Sequence, residues 1–411
     1  MKLTLIVVLL FLIKGLYSQE LLKIDDLEIE TGNFKNFSSL KEELKGVKIV
    51  SLGEGNHYMG TTFKTKVAMI KYLHDSLNFD VIAFESGLYD CKVTNDSLQI
   101  VTSTQELFFD GLFGVWKCDE VKVLYDYLAQ NNNQENNPID LIGIDNQLLG
   151  NSKKFLKADF DQLFDSLQYY TSKIIESDRF YSILDEVIRT SNFKQNFSID
   201  DTIYFSGKLR KINHIIDEYH LENRPYYQFW KQLCKNINSD YTRMYFQPFG
   251  AIRDSMMYEN LKWYMELYPE KKIILWAASG HLMFEPRNNN SNNKPMGTYL
   301  KNNFKEQYYA IVFTAYKGKY GNKDKGLLSF KIKKSTEKSI EHYIHKNYFG
   351  NFALFSLRNN KNKEFIEQQN ITHVKIGRNE NLMIPFEFAD ALFYIKEMHA
   401  PTYFFKEMKK N

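Results

Sequence analysis

The stretch VKIVSLGEGNHYMGTTFKTKVAMIKYLHDSLNFDVIAFES at residues 47–86 decides the predicted fold, because it encodes a strand, a helix and a second strand in succession. Residues 47–52 and 80–85 are short apolar runs typical of buried strands. Residues 59–76 predict a helix, because four apolar side chains recur there at helical spacing: Phe63, Val67, Ile70 and Leu73. Two strands joined by a helix favour a parallel pair with a crossover connection.

Buried-strand patterns recur on both sides of a long helical segment. Residues 139–144 predict a third strand, residues 154–240 carry helical patterns without a strand signal, and residues 272–277 and 308–314 predict two further strands. The remaining predicted elements are helices over 119–131, 253–267 and 296–304, an irregular segment over 86–118, and weaker strands near 327–332, 352–357 and 391–395. The predicted fold class is therefore α/β, with a mostly parallel central sheet, flanking helices and an inserted helical subdomain.

The N-terminal residues 1–18 predict a secretory signal peptide. Lys2 precedes an apolar run over residues 3–13, and Ser18 fits a cleavage point. We therefore expect export to the periplasm or the extracellular space, with no stable membrane anchor after cleavage; an uncleaved anchor is the alternative. The predicted domains are a first part of the α/β domain at 19–153, the helical insertion at 154–240 and a second part at 241–411.

Charge balance and cysteine content restrict the partners of the protein. The 411 residues carry 53 Lys and Arg against 50 Asp and Glu, a formal net charge of +3, which gives no electrostatic footprint for nucleic acid. The expected partner is a small-molecule substrate, and the oligomeric state stays open. Cys91 and Cys118 can pair in an oxidising compartment; alternatively they remain, with Cys234, unpaired and buried.

Titratable side chains follow the predicted strands, at the edge where open α/β sheets bind ligands. Glu54 and His57 follow the first strand, the second ends in Glu85, Asp145 follows the third, and the fourth leads to His281. A histidine accepts a proton from water near neutral pH, and a carboxylate fixes its tautomer. This combination predicts general-base hydrolysis without a covalent nucleophile.

Each of these residues also has a purely structural interpretation. Glu54, in a glycine-flanked turn, can simply accept backbone N–H groups, and Asp145 fits a turn better than catalysis. His57 precedes a helix and suits a capping region, and His281 can be a packed histidine. Glu85 ends an apolar strand, where an unpaired carboxylate is costly, so a function or an ion pair is favoured.

Two cations accompany the predicted cluster. Lys66 lies at the edge of the apolar face of the first helix, where it can hold an anionic substrate group or an oxyanion, or extend along the surface. Arg253 is predicted at the start of a helix, either as a substrate-binding residue or as an ion-pair partner of Glu54 or Glu85.

The sequence lacks the motifs of several other enzyme classes. GxSxG, GxGxxG, GxxxxGK[ST] and HExxH do not occur. We therefore expect no cofactor and no metal. A zinc or iron hydrolase remains an alternative, because His57 and His281 with Glu54 and Glu85 are residue types that these metals bind.

Ordered pieces of the sequence resemble the erythromycin esterase family from about residue 45 to residue 318. They are SLGEGNH at 51–57, YLHDSLNFDVIAFE at 72–85, GID at 143–145, RDSMMYEN at 253–260, ILWAASGHL at 274–282, MGTYL at 296–300 and YYAIVF at 308–313. The resemblance implies an α/β fold with a helical subdomain over a deep cleft. It also implies metal-independent opening of the macrolactone ring of erythromycin-type macrolides, a reaction that confers antibiotic resistance.

The resemblance assigns roles to four residues. His57 corresponds to the histidine of a GExxH motif that acts as the general base on water, and Glu54 to the glutamate of that motif. Glu85 corresponds to a glutamate that ends the second strand. His281 corresponds to the last histidine of a later HNxH-type motif.

The sequence departs from the family pattern at several positions. Ala278 and Ser279 replace the first two residues of the later motif, and Tyr58 and Thr61 replace a glycine and a glutamate after the first. Lys66 stands where an arginine is often found, and lysine lacks the bidentate fork. We expect a hydrolase of an ester or macrolactone that is not necessarily a macrolide; a ligand-binding homologue without the reaction is the alternative.

Overall fold

The computed structural model describes residues 21–24, 38–99, 104–133, 137–170, 178–190, 197–246, 249–285, 294–322, 328–348, 350–377, 379–382 and 385–403. The predicted signal peptide lies outside these residues. Within these ranges, no helix combines the length and the apolar character that crossing a bilayer requires.

One sheet of nine strands forms the centre of the described part of the chain. Its strands are β1 (Leu21–Ile24), β2 (Ile49–Glu54), β3 (Val81–Gly87), β4 (Asp140–Asp145), β5 (Ile273–Ala278), β6 (Tyr308–Asn322), β7 (Leu328–Ile332), β8 (Phe352–Ser356) and β11 (Ala391–Met398), while β9 (His373–Ile376) and β10 (Asn379–Leu382) form a separate hairpin. The order is β1-β8-β11-β6-β2-β5-β3-β4, with β7 paired to β6. Every neighbouring pair from β11 to β4 is parallel, which confirms the predicted fold class.

Helices cover both faces of the sheet. They are α1 (Ser38–Glu43), α2 (Gly60–Leu77), α3 (Leu88–Leu98), α4 (Gln105–Asp110), α5 (Asp119–Asn133), α6 (Gly150–Gln168), α7 (Asp178–Thr190), α8 (Ile199–Glu218), α9 (Pro225–Phe246), α10 (Phe249–Leu267), α11 (Ser279–Leu282), α12 (Met296–Phe304), α13 (Ile340–Asn347), α14 (Asn360–Gln368) and α15 (Pro385–Phe388). Helices α2 and α5 pack on one face, and α10, α12, α13 and α14 contribute to the core on the other.

The central strands are apolar on consecutive residues because both of their faces are buried. In β5, Ile274 and Trp276 belong to one core, whereas Ile273 and Leu275 belong to the other, and all four are fully buried. Such continuous apolar runs are typical of parallel sheets covered by helices.

Helices α6 to α9, which lie between β4 and α10 in the chain, build a core of their own. Phe160, Leu184, Leu209 and Leu233, one from each helix, are buried in it, and Tyr89 of α3 joins them. The predicted helical insertion at 154–240 falls within these helices, whereas the division of the chain into domains stays a prediction.

The prediction of an irregular segment over 86–118 is wrong. Helices α3 and α4 occupy much of it, followed by a short 3-10 helix at Gly114–Trp116. Polar side chains on the buried side of α3 hide its helical period, because Asp90, Thr94 and Ser97 are buried beside the apolar residues. Thr104 caps α4 by accepting a hydrogen bond from the Leu107 N–H at 3.2 Å.

The C-terminal part contains more regular structure than the sequence predicts. The strand predicted at 308–314 continues to Asn322, and helices α13 and α14 and the hairpin β9–β10 have no counterpart in the prediction. Each of these missed elements has at most nine residues, too few to establish a clear period. Cys91, Cys118 and Cys234 are free and buried, so the unpaired alternative is the one observed.

Asp90 joins α3 to the start of the helical block, and replacing it should destabilise the protein. Its carboxylate accepts the Leu149 N–H at 2.9 Å, and the Ser152 N–H and hydroxyl at 2.7 Å. We expect Asp90→Ala to lower the free energy of unfolding by about 1–3 kcal/mol, because buried donors lose their acceptor. Asp96→Ala on the same helix, where the side chain is 59% exposed, should change it little. Urea unfolding of both variants measures the difference, and equal stabilities would contradict this role.

Candidate active site

Four adjacent strand ends place the predicted residues together. Strands β2, β5, β3 and β4 are consecutive and parallel, so their carboxyl ends meet at one edge. Glu54 ends β2, Asp145 ends β4, Glu85 lies near the end of β3, and His281 lies in α11 directly after β5. Arg253, from the first half of α10, reaches into the same edge. The sequence therefore predicted the neighbourhood of these residues correctly.

Glu54 is fully buried and is surrounded by donors. Its Oε1 is 3.1 Å from His57 Nδ1 and accepts the Trp116 Nε1–H at 3.2 Å, while its Oε2 pairs with the Lys66 ammonium. Three partners on one carboxylate fix both its position and its charge. Glu54 therefore binds side chains, and the interpretation that it simply accepts backbone N–H groups is wrong.

Lys66 forms an ion pair with Glu54, and its side chain has no exposed surface. Its ammonium also donates to the Ala277 carbonyl at 3.2 Å and lies 4.5 Å from the centre of the Trp276 ring. A cation enclosed in this way does not extend along the surface, so that interpretation is wrong. The substrate-binding role of Lys66 stays a prediction. The geometry places Lys66 behind Glu54, as the charge that permits a carboxylate to remain buried.

His57 is the accessible member of this group. Its side chain is 35% exposed, and the Trp116 ring lies edge-on to it at 5.7 Å. Because Nδ1 faces Glu54, the neutral tautomer with the proton on Nδ1 is favoured, and Nε2 is left with a lone pair. This is the arrangement that a general base for water requires.

Arg253 holds the second part of the site together. Its Nη2 donates to Glu85 Oε1 at 2.7 Å, and its Nε donates to Asp145 Oδ2 at 3.0 Å. Asp145 is fully buried in this ion pair, and its Oδ1 also accepts the Gln147 N–H at 3.2 Å, so it makes the predicted turn contact and pairs with Arg253 as well. The ion pair predicted for Arg253 is present with Glu85, and the second carboxylate is Asp145, not Glu54.

His281 is held from both ring nitrogens. Its Nδ1 is 2.8 Å from Asp254 Oδ1, and its Nε2 is 3.3 Å from Glu85 Oε1 and 3.1 Å from Arg253 Nη1. Glu85 is fixed in turn by the Ala278 N–H, which donates to Oε2 at 2.7 Å. The histidine, the arginine and the glutamate therefore form one connected network on the carboxyl side of β3 and β5.

The two histidines differ in their electrostatic surroundings. Burial disfavours the charged form of His57, but the hydrogen bond to Glu54 and the charge of Glu85 raise its pKa above the ordinary value. Burial acts in the same way on His281, but the carboxylates of Glu85 and Asp254 raise its pKa to about 10. The carboxylates around His281 therefore favour its protonated form, whereas His57 is the histidine that can lose its proton near neutral pH.

The two glutamates stay ionised although both are buried. Burial opposes this, but Lys66 and His57 lower the pKa of Glu54. The pKa of Glu85 lies well below its ordinary value, because His281 and Arg253 outweigh its burial. The charge of Glu85 also raises the pKa of His57, so the group around Arg253 acts electrostatically on the group around Glu54.

Sequence reasoning missed Trp116 and Asp254. Trp116 lies in the segment predicted to be irregular, and nothing in its local pattern connects it to Glu54. Asp254 follows Arg253 directly, and the adjacent charged pair was a signal that could have been used. Among the described residues, no group of three or more His, Cys, Asp or Glu is arranged to hold a metal ion.

Comparisons with known proteins agree with this architecture. The family model described as erythromycin esterase matches residues 74–398. The chain is 30% identical over 331 residues to YbfO of Bacillus subtilis (strain 168), a relative whose own hydrolase label is provisional; the match covers 71% of this chain and 70% of YbfO.

Solved structures share the fold at low sequence identity. A Bacillus cereus protein superposes with a TM-score of 0.76 at 19% identity, covering 95% of this chain and 98% of its own. A His-to-Asn mutant of the erythromycin esterase EreC, in its open conformation, superposes with a TM-score of 0.64 at 17% identity, covering 91% of this chain and 97% of its own. At such identities the likeness shows the fold alone.

Proposed function

The chain belongs to the erythromycin esterase family, and from this premise we propose that it is an exported hydrolase that opens a carboxylic ester or a macrolactone by general-base activation of water. Family membership suggests a hydrolase. The observation that carries the finer proposal is the Glu54–His57 pair, in which a buried carboxylate orients a partly exposed imidazole.

The proposed reaction needs no protein nucleophile. His57 Nε2 takes a proton from water as the water oxygen attacks the ester carbon, and the carbonyl oxygen becomes an oxyanion. The cationic side chains of Arg253 and His281, each 19% exposed, support stabilisation of this oxyanion. His57 then returns the proton to the alcohol oxygen as the C–O bond breaks, which gives an acid and an alcohol.

The proposed substrate is a small molecule, and macrolides are the first class to test. The family name supports this choice, while Ala278 and Ser279 in the later motif leave simpler esters and lactones as alternatives. Export rests on the N-terminal sequence. Mass spectrometry of the secreted protein should find Gln19 as the first residue, and a retained residue 1 would contradict cleavage.

A variant of the proposed base tests the function. Incubated with macrolides, simple esters and lactones, the wild-type protein should yield a product heavier by one water, and His57→Ala should yield none. His214→Ala is the matched control. This histidine is 75% exposed on the surface of α8, a helix that packs in the separate helical core. Circular dichroism should show all three proteins folded. Turnover by His57→Ala would reject the proposal.

Two outcomes would instead favour the alternatives. Ligand binding without any product across the panel would favour a homologue that has kept the cleft and lost the reaction. Loss of activity on chelation, restored by zinc or iron, would favour a metal-dependent hydrolase.

The pH dependence follows from the surroundings of His57. The base works only when His57 is neutral, so kcat/KM should rise with pH through the pKa of that histidine. Because Glu54 and Glu85 raise this pKa, the midpoint of the rise should lie above the ordinary histidine value of about 6.5. A profile of kcat/KM from about pH 5 to about pH 10 measures it. A midpoint at or below the ordinary value would contradict this electrostatic arrangement.

A further inference from the structure

Gly377, the residue directly after β9, lies against the chain between Glu54 and His57. A Cβ atom placed on Gly55 would lie 2.2 Å from the backbone nitrogen of Gly377, and a Cβ atom placed on Gly377 would lie 2.7 Å from the Gly55 carbonyl oxygen. Both distances are far shorter than van der Waals contact. The two backbones therefore touch, and only glycine fits on either side of the crossing.

The hairpin is itself anchored firmly. The Lys375 N–H donates to Glu341 at 2.8 Å, the Lys375 carbonyl accepts the Thr314 hydroxyl at 2.8 Å, and the Lys375 ammonium donates to the Tyr316 carbonyl at 2.9 Å. These contacts tie β9 to α13 and to β6, both of which belong to the packed core. Gly377 therefore directly follows a strand that these contacts join to the packed core.

Two other C-terminal segments hold the far side of the same loop. The Gly321 N–H donates to the Tyr58 carbonyl at 2.9 Å, and the Gly60 N–H donates to the His399 carbonyl at 2.8 Å. His57 lies between these contacts and the glycine crossing. Its backbone is thus constrained on both sides by residues that are distant in sequence.

We propose that Gly377 is a positioning residue for His57: its backbone fixes the backbone at Gly55 and thereby the hydrogen bond between Glu54 and His57. This inference rests on the proposed function, in which that hydrogen bond orients the general base. It adds a part of the chain that contributes no side chain to the chemistry, and it predicts that a methyl group at the crossing impairs turnover.

Three glycine variants separate positioning from backbone strain. Gly377 has a φ of +74°, so Gly377→Ala combines strain with the collision at Gly55. Gly46 has a φ of +79° in an exposed turn with no atom within 4 Å of a Cβ, so Gly46→Ala carries the strain alone. Gly55 is not among the residues with positive φ, so Gly55→Ala carries the collision alone.

We expect Gly377→Ala and Gly55→Ala to lower kcat by about tenfold or more, since a misplacement of about 1 Å can cost 100-fold, with a smaller change in KM. Gly46→Ala should retain the wild-type kcat. Wild-type kcat in both crossing variants would overturn the inference.

A readout independent of turnover is the NMR titration of the His57 ring, assigned by its loss in His57→Ala. A loosened bond to Glu54 should lower the pKa of His57 in Gly377→Ala and Gly55→Ala but not in Gly46→Ala. If His57→Ala still turns over substrate, the proposed function fails, whereas this titration still decides the role of Gly377: an unchanged titration in both crossing variants overturns it.

Variants that fail to fold are also decisive. Gly377→Asn keeps the collision but tolerates the left-handed conformation better than alanine does. If Gly377→Ala, Gly377→Asn and Gly55→Ala all fail to fold while Gly46→Ala folds, the crossing serves the fold as a whole and the positioning role is overturned.

Discussion

Lys66→Met should destabilise the protein by about 3 kcal/mol or more, because it leaves the fully buried carboxylate of Glu54 without its cation. It should also reduce turnover strongly at temperatures where the variant is folded, since Glu54 then takes up a proton more readily and no longer orients His57. Chemical denaturation and steady-state kinetics measure the two effects separately.

A matched control and a double variant test the reason for this loss. Lys64 lies on the same helix and is exposed, so Lys64→Met should leave stability and turnover almost unchanged. Lys66→Met combined with Glu54→Gln should regain much of the stability, because no lone charge is left buried, yet remain inactive. A Lys66→Met protein as stable as Lys64→Met would show that the buried pair contributes little.

Arg253→Met should have an effect of similar size at the other half of the site. Glu85 and Asp145, with side chains 2% and 0% exposed, would lose their shared cation and repel each other. We expect a loss of about 3 kcal/mol or more in the free energy of unfolding, together with loss of turnover. Arg253→Lys should be intermediate, because one ammonium cannot reproduce the fork that serves two carboxylates.

The control for Arg253 lies on the same helix. Lys262 is 43% exposed and forms a surface pair with Glu266, so Lys262→Met should cost well under about 1 kcal/mol. Comparable unfolding curves for Arg253→Met and Lys262→Met would contradict the ion-pair network described for Arg253.

The sequence was sufficient to predict the parallel strands at the centre of the sheet and the edge where the candidate site lies. Runs such as residues 272–277 are apolar on consecutive positions because two cores need them, and strand direction then brings their carboxyl ends together. Glu54, Glu85 and His281 could be assigned to the site on that basis alone.

Contacts between distant segments were out of reach. The helical period predicted that Lys66 lies beside an apolar face, but only the fold shows that Trp276 and Glu54 enclose its ammonium. Only the fold shows, too, that Trp116 donates to the carboxylate that Lys66 pairs with. Helix α3 was missed because its buried side carries Asp90, whose partners come from another helix. A polar residue in a core looks like a surface residue until its partners are known.

The central claim is that His57 removes a proton from water, and chemical rescue tests it most directly. With a substrate identified from the panel, hydrolysis by His57→Ala is measured without and with added imidazole. Because the His57 side chain is 35% exposed, its removal opens a space that solvent-borne imidazole can reach. We predict that His57→Ala is inactive alone, that imidazole restores part of the rate, and that the restored rate rises with the concentration of neutral imidazole. Full activity of His57→Ala without imidazole would contradict the account.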